Sequence, residues 1–379
     1  MDPQPQCCPT PECHARGHIG QGNIRVHSQH ERRYRCTTCG RTFAATTGTP
    51  FFRLKHAPDV VTIVLTLLCH GCPLQAIVAA FGLDERTVAG WQARAGEHCQ
   101  RVHEHLVQQG QVDLGHVQAD ELWGTLVGRK VWLAMALAVP SRLWLGGVIS
   151  PPRAGTLIRR LVEGVRACAG RLDSLVCVDG LSSSVTAFRR AVRVPVRTGR
   201  PGRPRLVLAE GFLLGQVVKQ YAQRRVTGVR QRVVDGTAAA IATALATTKS
   251  GTTINTAYIE RLNATFRNCL APLGRRGRTI ARTEAALTAG LWLVGCADNF
   301  CWCHASRRRA APAGSGRRWQ ERTPAMAAGL TDRPWTMGEL LRYQVPPPAW
   351  QAPTRRGRPP TTAPPGCGNG CGPACMSAA

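Results

Sequence analysis

The sequence predicts an α/β protein in which a mixed β-sheet with flanking helices occupies the centre of the chain. Three neighbouring segments, "HVQADELWG", "KVWLAMALAV" and "RLWLGGVIS", have the pattern of consecutive strands joined by short turns, which predicts an antiparallel meander. An amphipathic helix over about residues 154–168 follows, and then the apolar strand "SLVCVDG", in which Asp179 is the last strand residue. A strand that follows such a crossover helix is expected to run parallel to a strand of the meander.

This order of elements is the beginning of a ribonuclease H-like fold, in which the first strand lies centrally and the fourth lies beside it. Asp120 on the first strand and Asp179 at the end of the fourth should then be neighbours in space. Two carboxylates held close together repel each other, and one takes up a proton unless a cation lies between them. Mg²⁺ binds carboxylate oxygens and keeps its waters, so the pair predicts a site for Mg²⁺, or for Mn²⁺ in its place.

The segment "NTAYIERLNATFRNCLAPL", residues 255–273, supplies a third acid on a predicted helix. Its apolar residues recur at helical spacing, and Glu260 lies beside the stripe that they form. Three further polar residues follow on the same helix: Arg261, Asn263 and Arg267. We therefore predict that Glu260 joins Asp120 and Asp179 in one acidic metal site.

Two cysteine pairs near the N-terminus predict a zinc ribbon. "YRCTTCGRTF" contains Cys36 and Cys39 in a C-x2-C spacing followed by glycine, and "CCPTPEC" supplies Cys13 together with Cys8 or Cys7. Four thiolates satisfy the tetrahedral preference of Zn²⁺, and a module this small does not hold together without its metal. We take Cys8, Cys13, Cys36 and Cys39 as the ligands; a redox-active or adventitious thiol pair is the alternative.

A helical segment follows, in which a short helix, a tight turn and a longer polar helix are predicted. Asp84 is the expected N-cap of the longer helix, and Arg86, Thr87, Trp91 and Arg94 are expected on its surface. This arrangement is typical of a helix-turn-helix, whose second helix enters the major groove of double-stranded DNA. Arg86 and Thr87 would then face base edges, and an ordinary three-helix packing unit is the alternative.

The charge of the chain predicts a polyanionic partner. Lys and Arg number 49 against 22 Asp and Glu, which gives a net charge of +27 and an isoelectric point near 10.8. Phosphate contacts supply most non-specific affinity for nucleic acid, so double-stranded DNA is the expected partner and an anionic membrane surface the competing one. The sequence shows no run of about 18 apolar residues and no secretory signal. We expect a cytoplasmic, nucleoid-associated protein without a membrane span.

The stretch between Asp179 and Glu260 carries a basic insertion over about residues 189–250. "RRAVRVPVRTGRPGRPRL" is rich in arginine, glycine and proline, and its Arg200 and Arg203 are candidates for binding in a minor groove, with a solvated loop as the alternative. "VVKQYAQRRVTGVRQRVV", residues 217–234, is predicted as a basic amphipathic helix.

These segments divide the chain into four parts. Residues 1–50 form the predicted zinc ribbon, 51–110 the helix-turn-helix domain, 111–305 the sheet domain, and 306–379 a basic tail, largely disordered after about 345. "GCADNFCWCHAS" near the end of the sheet domain is read as a packing helix with core cysteines rather than as a second metal site. Three cysteines of the tail lack a scaffold and predict nothing: Cys367, Cys371 and Cys375.

The motifs "ADELWG", "VDG" and "IERLNATFR" resemble the three catalytic motifs of DDE transposases from bacterial insertion sequences. The predicted ribbon and helix-turn-helix make the insertion-sequence-one type the most similar group, over about residues 7–300. The resemblance implies that Asp120, Asp179 and Glu260 are the catalytic triad. It also implies that three residues lie near the scissile DNA end: Arg261, Asn263 and Arg267. Glu121 is then a supporting or surface acid.

The resemblance further implies an activity. Such an enzyme binds the terminal inverted repeats of its element, cuts the DNA and joins the freed 3′-OH to target DNA with two metal ions, and two copies act together on the paired ends. The insertion after Asp179 is longer than in the compact members of the group, which leaves the register of Glu260 the weakest match. The alternatives are a non-catalytic DNA-binding regulator derived from an inactivated transposase, and a structure-specific nuclease on the same fold.

Overall fold

The structure is a computed structural model that describes residues 1–352 apart from 110, 128, 198, 200, 201, 224, 275–282, 313 and 315. Arg200 and the three cysteines of the predicted tail lie outside the described residues. None of the helices in the described ranges is both long enough and apolar enough to cross a bilayer.

The N-terminal part is a small antiparallel sheet in the order β1-β2-β3. Its strands are β1 (Ile24–Ser28), β2 (Arg33–Cys36) and β3 (Thr42–Ala44). Ile24 and Tyr34 are its largest buried apolar side chains, and the rest of its buried core is mainly cysteine. So small a core buries little apolar surface, which is typical of modules that depend on a metal or on disulfides to fold.

Three helices follow: α1 (Pro58–Cys69), α2 (Leu74–Phe81) and α3 (Glu85–His103), the last of which continues into a π-helical turn at Glu104–Gln108. Gly82 ends α2 with φ +63°, a conformation that glycine adopts without strain. Asp84 caps α3 as predicted and accepts hydrogen bonds from two backbone N–H groups of the first turn. The expected exposure of Trp91 is wrong: its ring is buried against His56, because it lies on the face of α3 that joins the core.

The predicted meander is confirmed. It comprises β4 (His116–Leu126), β5 (Arg129–Ala138) and β6 (Leu143–Ser150), which pair antiparallel in that order. The crossover helix α4 (Gly155–Cys168) follows, and β7 (Leu175–Asp179) then pairs parallel to β4.

The chain after β7 adds two hairpins. Its elements are α5 (Ser182–Ala191), β8 (Arg193–Val196), β9 (Arg205–Leu208), β10 (Leu213–Ala222) and β11 (Arg225–Asp235). β8 and β9 form a separate two-stranded sheet, whereas β10 joins β7 in parallel and completes a six-stranded mixed sheet in the order β11-β10-β7-β4-β5-β6. The helix predicted over 217–234 is therefore wrong. That segment is rich in valine, whose branched side chain favours an extended strand.

The remaining elements complete the fold around the sheet and the three helices. They are α6 (Ala238–Thr247), α7 (Ala257–Cys269), α8 (Glu284–Phe300), β12 (Arg309–Ala310), β13 (Trp319–Gln320), α9 (Pro324–Ala327) and α10 (Met337–Arg342). α8 contacts α3 so closely that a Cβ on Gly96 would lie 2.4 Å from the Cα of Ala289. The three-helix segment therefore shares one hydrophobic core with the sheet.

The chain from 306 to 345, which precedes the part of the tail predicted to be disordered, is folded against the helices. Leu340 and Leu341 of α10 are fully buried, and the carbonyl oxygen of Leu340 lies 3.1 Å from Nε2 of His98 on α3. Beyond α10 the chain runs along the N-terminal sheet module, where the rings of Trp350 and His14 are 4.0 Å apart. Apolar residues in this stretch decide its packing in spite of the surrounding arginines.

The central sheet has two covered faces. On one, alternate residues of β4 and β5 pack against Ile259, Leu262 and Phe266 of α7; we call it the α7 face. On the other they pack against α4, and we call it the α4 face. Full burial of side chains of this size stabilises the seat of α7 by about 2 kcal/mol each, which fixes the helix over the sheet.

Candidate catalytic site and metal centre

Asp120 and Asp179 lie side by side on the α7 face, as predicted. The parallel register of β4 and β7 pairs His116 with Leu175 and runs through Ala119 and Val178, so the two aspartates are the next pair. Side chains alternate along a strand, and the register places both carboxylates on the same face. Asp179 also accepts a hydrogen bond of 3.0 Å from the backbone N–H of Leu181, which fixes its carboxylate at the end of β7.

Gln118 fastens the start of α7 to the same strand. Its Oε1 accepts the backbone N–H groups of Tyr258 and Ile259 at 3.0 and 3.1 Å, and its Nε2 donates to the carbonyl oxygen of Asn255 at 2.8 Å. The side chain is completely buried two residues before Asp120. Sequence reasoning missed this residue, although a polar side chain on a buried strand is the signal that could have identified it.

α7 places an amide directly on the first aspartate. The buried Asn263 donates from Nδ2 to Oδ2 of Asp120 at 2.9 Å, so its visible contact is to this carboxylate. Arg261, two residues earlier, is exposed on the helix. Arg267 lies one turn after Asn263 and donates to the carbonyl oxygens of Trp123 and Leu273.

Glu260 lies near the aspartates but is held by another partner. Its Oε1 accepts from Nζ of Lys219 on β10 at 2.7 Å and from Oγ1 of Thr256 at 3.1 Å. Among the described residues, no group of three acids brings its oxygens within 4.8 Å of one another. Asp120 and Asp179 thus form the core of the site, with Glu260 at its border.

The electrostatics of Asp120 favour a cation. Burial raises the pKa of this carboxyl to about 7 from its usual 3.8, and the negative charges of Asp179, Glu121 and Glu260 add to the rise. Among the described residues, no basic side chain forms an ion pair with Asp120. An oxygen-rich site of this kind, with one charge left uncompensated, fits a hard divalent ion.

Glu121 serves the opposite face of the strand. Its side chain is nearly buried, and Oε2 accepts from Nη2 of Arg153 at 2.6 Å, while Oε1 lies 3.5 Å from the hydroxyl of Ser184. The same Nη2 is 3.9 Å from Oδ2 of Asp179. Glu121 is therefore a supporting acid that positions Arg153 beside Asp179, and not a surface residue.

The four cysteines predicted as zinc ligands come together. The sulfurs of Cys8, Cys13, Cys36 and Cys39 all lie within 4.8 Å of one another, and two of the pairs are 3.7 and 3.9 Å apart. A tetrahedral Zn²⁺ with Zn–S bonds of about 2.3 Å requires sulfurs about 3.8 Å apart, so the spacing fits. Cys7 is not in the group, which answers the choice that the sequence left open.

One of these thiols is prepared for metal binding. Burial on its own would raise the pKa of Cys36, but hydrogen bonds from the backbone N–H groups of Cys39 and Thr38 outweigh it and lower the pKa to about 7. A thiolate is the form that binds zinc. The glycine after Cys39 has φ +72°, which closes the tight turn that aims these N–H groups.

No family model and no curated protein matches this chain. The chemistry of the site therefore rests on its own residues. Two carboxylates on adjacent parallel strands, with an amide and an acid from the helix above them, can hold a divalent cation, and a thiolate cluster can hold zinc.

The remaining predicted DNA-contacting residues lie on separate surfaces. Arg86 is exposed at the start of α3, and Thr87 next to it is half-buried, with its backbone N–H on the carboxylate of Asp84. Arg203 is exposed between β8 and β9. The structure thus offers basic groups at the start of α3, along α7 and between β8 and β9.

Proposed function

We propose that this chain is a DDE transposase that cleaves DNA at the terminal inverted repeats of an insertion sequence and joins the freed ends to target DNA. The observation that carries the proposal is the position of Asp120 and Asp179 on adjacent parallel strands, each one residue past the last paired residues of those strands, together with the Asn263 amide and Glu260 of α7. The strand order of the central sheet is compatible with the ribonuclease H-like fold that such enzymes use.

Asp120, Asp179 and Glu260 would hold Mg²⁺ or Mn²⁺. When bound, such ions supply Lewis acidity for in-line displacement at phosphorus. The protein contributes position and charge: Asn263 fixes the orientation of Asp120, and the strand end fixes Asp179. No covalent intermediate on serine or tyrosine is needed, because water and then the DNA 3′-OH act as nucleophiles.

The other modules would bind the DNA. In this proposal the N-terminal module is a zinc ribbon held by the four cysteines, and α2 and α3 form a helix-turn-helix with Arg86 and Thr87 toward base edges. The net charge of +27 attracts the phosphate backbone and makes binding fall steeply with salt. Two copies would act on a pair of ends, since both ends of an element must be cut together.

One observation supports the regulator alternative. Lys219 forms an ion pair with Glu260, and the three acids do not form a tight group. A protein that binds DNA without cutting it does not need such a group. A cation entering beside Asp120 would have to compete with Lys219 for Glu260. The two readings therefore differ in whether metal draws Glu260 inward.

The test compares the wild type with Asp120→Asn, Asp179→Asn and Glu260→Gln variants on labelled DNA that carries the ends of the element, with Mg²⁺ or with EDTA. We expect all four proteins to bind the ends, and each variant to lose cleavage and joining by at least about 100-fold. Wild-type binding without any product in either Mg²⁺ or Mn²⁺ would favour the regulator. Cleavage without joining would favour a nuclease.

A further inference from the structure

The β4–β5 hairpin extends past the aspartate pair. β4 pairs with β7 only through Ala119, whereas its pairing with β5 continues to Leu126. The projecting part carries Trp123 opposite Trp132, and both indoles lie on the α4 face of the hairpin. A cross-strand pair of tryptophans thus stands next to the proposed cutting site.

Cations alternate with these two rings. Nζ of Lys130 lies 4.5 Å from the ring centre of Trp123 and 4.4 Å from that of Trp132. The guanidinium of Arg153 also lies 4.6 Å from the ring centre of Trp132. We call this row, Trp123, Lys130, Trp132 and Arg153, the tryptophan–cation row.

The row extends from the acidic residues Glu121 and Asp179 to the solvent-exposed Trp123. At its inner end Arg153 is ion-paired with Glu121 at 2.6 Å and lies 3.9 Å from Asp179. At its outer end Trp123 is 48% exposed, although Trp132 packs against the core. An indole left half in water contributes little to the core, so burial does not account for its presence at this point.

The hairpin is held rigidly in place. Arg267 of α7 donates to the carbonyl oxygen of Trp123, and the next residue, Gly124, lies against Leu273, whose methyl would be 2.6 Å from an added Cβ. Trp123 is therefore fixed relative to the helix that carries Glu260 and Asn263. Trp123 lies three residues along β4 from Asp120, about 10 Å away and on the opposite face of the strand.

These features match the chemistry of an unpaired nucleotide. A flat ring stacks on a nucleobase irrespective of its sequence, and neighbouring cations bind the phosphates of the strand. In an intact duplex the bases are stacked on each other and cannot reach the ring, so the ligand must be a base that has left the helix.

We propose that the tryptophan–cation row binds unpaired nucleotides of the DNA strand whose scissile phosphate lies at Asp120 and Asp179. The base stacks on the exposed ring of Trp123, and Lys130 contacts the backbone. Arg153 is a positioning residue that links the row to the aspartate. This inference rests on the proposed function and adds to it the strand state that the site accepts.

The experiment measures the affinity of the full-length, zinc-loaded protein for a short labelled oligothymidylate and for a duplex of equal length. Trp123→Ala is compared with Trp123→Phe, which keeps a ring. The matched control is Trp319→Ala, which removes a tryptophan that is 38% exposed and lies 4.6 Å from the guanidinium of Arg308.

We expect Trp123→Ala to weaken single-strand binding by about 5- to 100-fold while duplex binding changes by less than about twofold. Trp123→Phe should retain most of the affinity, and Trp319→Ala should match the wild type. Equal single-strand affinity of Trp123→Ala and wild type would overturn the proposal, as would an equal loss in Trp319→Ala.

Cleavage of duplex ends by the same proteins separates this inference from the proposed function. If the wild type cuts while Trp123→Ala binds single strands normally, the row has no such role and the enzyme remains. If single-strand binding depends on Trp123 but the wild type never cuts, the nucleotide site remains and the catalytic function does not.

Discussion

The two candidate metal centres of this protein are built in opposite ways. The cysteine group lies in a module with a very small core, and its four sulfurs are already at metal-binding spacing. The acidic site lies on a large sheet, and its carboxylates contact an amide, an arginine and a lysine. A module without a core depends on its metal for structure. A site on a large sheet does not need metal to fold. The sheet can therefore hold neighbouring carboxylates that repel each other until a cation binds.

The largest expected effect is on the cysteine side of this comparison. Cys36→Ser should unfold the N-terminal sheet module, because zinc binding of about 10–16 kcal/mol is coupled to the folding of such modules. Hydrogen exchange should rise throughout β1 to β3 and remain low in β4 to β7, with zinc content measured in parallel. Cys7→Ser is the matched control, since Cys7 is buried next to the group without belonging to it. Loss of zinc in Cys7→Ser would contradict the ligand assignment.

Replacing a proposed metal-binding residue should have the opposite effect on stability at the acidic site. The pKa of Asp120 is raised to about 7 from 3.8, so its folded state binds a proton more tightly than the unfolded state, and stability falls as pH rises from about 4 to 7. Without divalent metal, Asp120→Asn should be more stable than the wild type at pH 8, by up to about 4 kcal/mol, and equal at pH 4. Denaturant unfolding at the two pH values measures this. Mg²⁺ should raise the wild-type midpoint at pH 8 and leave that of the variant unchanged.

Three buried histidines define the acid limit of the sheet and helix core. Burial lowers the pKa of His98, His103 and His116 to about 4 from 6.5. The unfolded chain therefore binds more protons, and stability is lost as pH falls from about 6.5 to 4, by up to about 3 kcal/mol per residue. Urea midpoints between pH 7 and 4 should fall, and His103→Asn should flatten that dependence. A slope unchanged in this variant would show that His103 is not responsible.

The smallest expected effect concerns the border of the acidic site. Lys219 and Glu260 are both partly exposed, so Lys219→Met should alter the free energy of unfolding by less than about 1 kcal/mol. It should strengthen Mn²⁺ binding several-fold, because Glu260 no longer has to leave an ion pair. Titration of Mn²⁺ by electron paramagnetic resonance tests this, with Lys130→Met as a control for the loss of one positive charge. Weaker Mn²⁺ binding in Lys219→Met alone would show that the lysine assists the metal instead.

Short-range patterns predicted much of this architecture. Alternation and turn spacing were sufficient for the meander and for the aspartate pair, because parallel strands meet in register. The four-cysteine group could also be predicted from the sequence, since the two cysteine pairs lie at the two ends of one predicted hairpin. The partners of Asp120 and Glu260 could not be, because Asn263 and Lys219 are brought to them only by the packing of α7 and β10.

The errors have physical causes of the same kind. Residues 217–234 were predicted as a helix because their basic and apolar residues fit both a helical and a strand spacing. The structure has strands there, which the valines favour. Trp91 was predicted at the surface, but it is buried on the face of α3 that joins the hydrophobic core, with its ring against His56. Arg153 was not singled out at all, since nothing near it in sequence reveals Glu121 as its partner.

The close approach of α3 to α8 at Gly96 fixes the distance between the start of α3 and the acidic site. α3 is about 28 Å long, at 1.5 Å per residue, with Arg86 exposed at one end and His103 beneath the sheet at the other. Because the helix is fused into the same core as Asp120 and Asp179, a base read by Arg86 and a phosphate held at the acids would be a constant interval apart. If the proposed function holds, cutting occurs at a set number of base pairs from the recognised sequence, because the rigid protein fixes that interval.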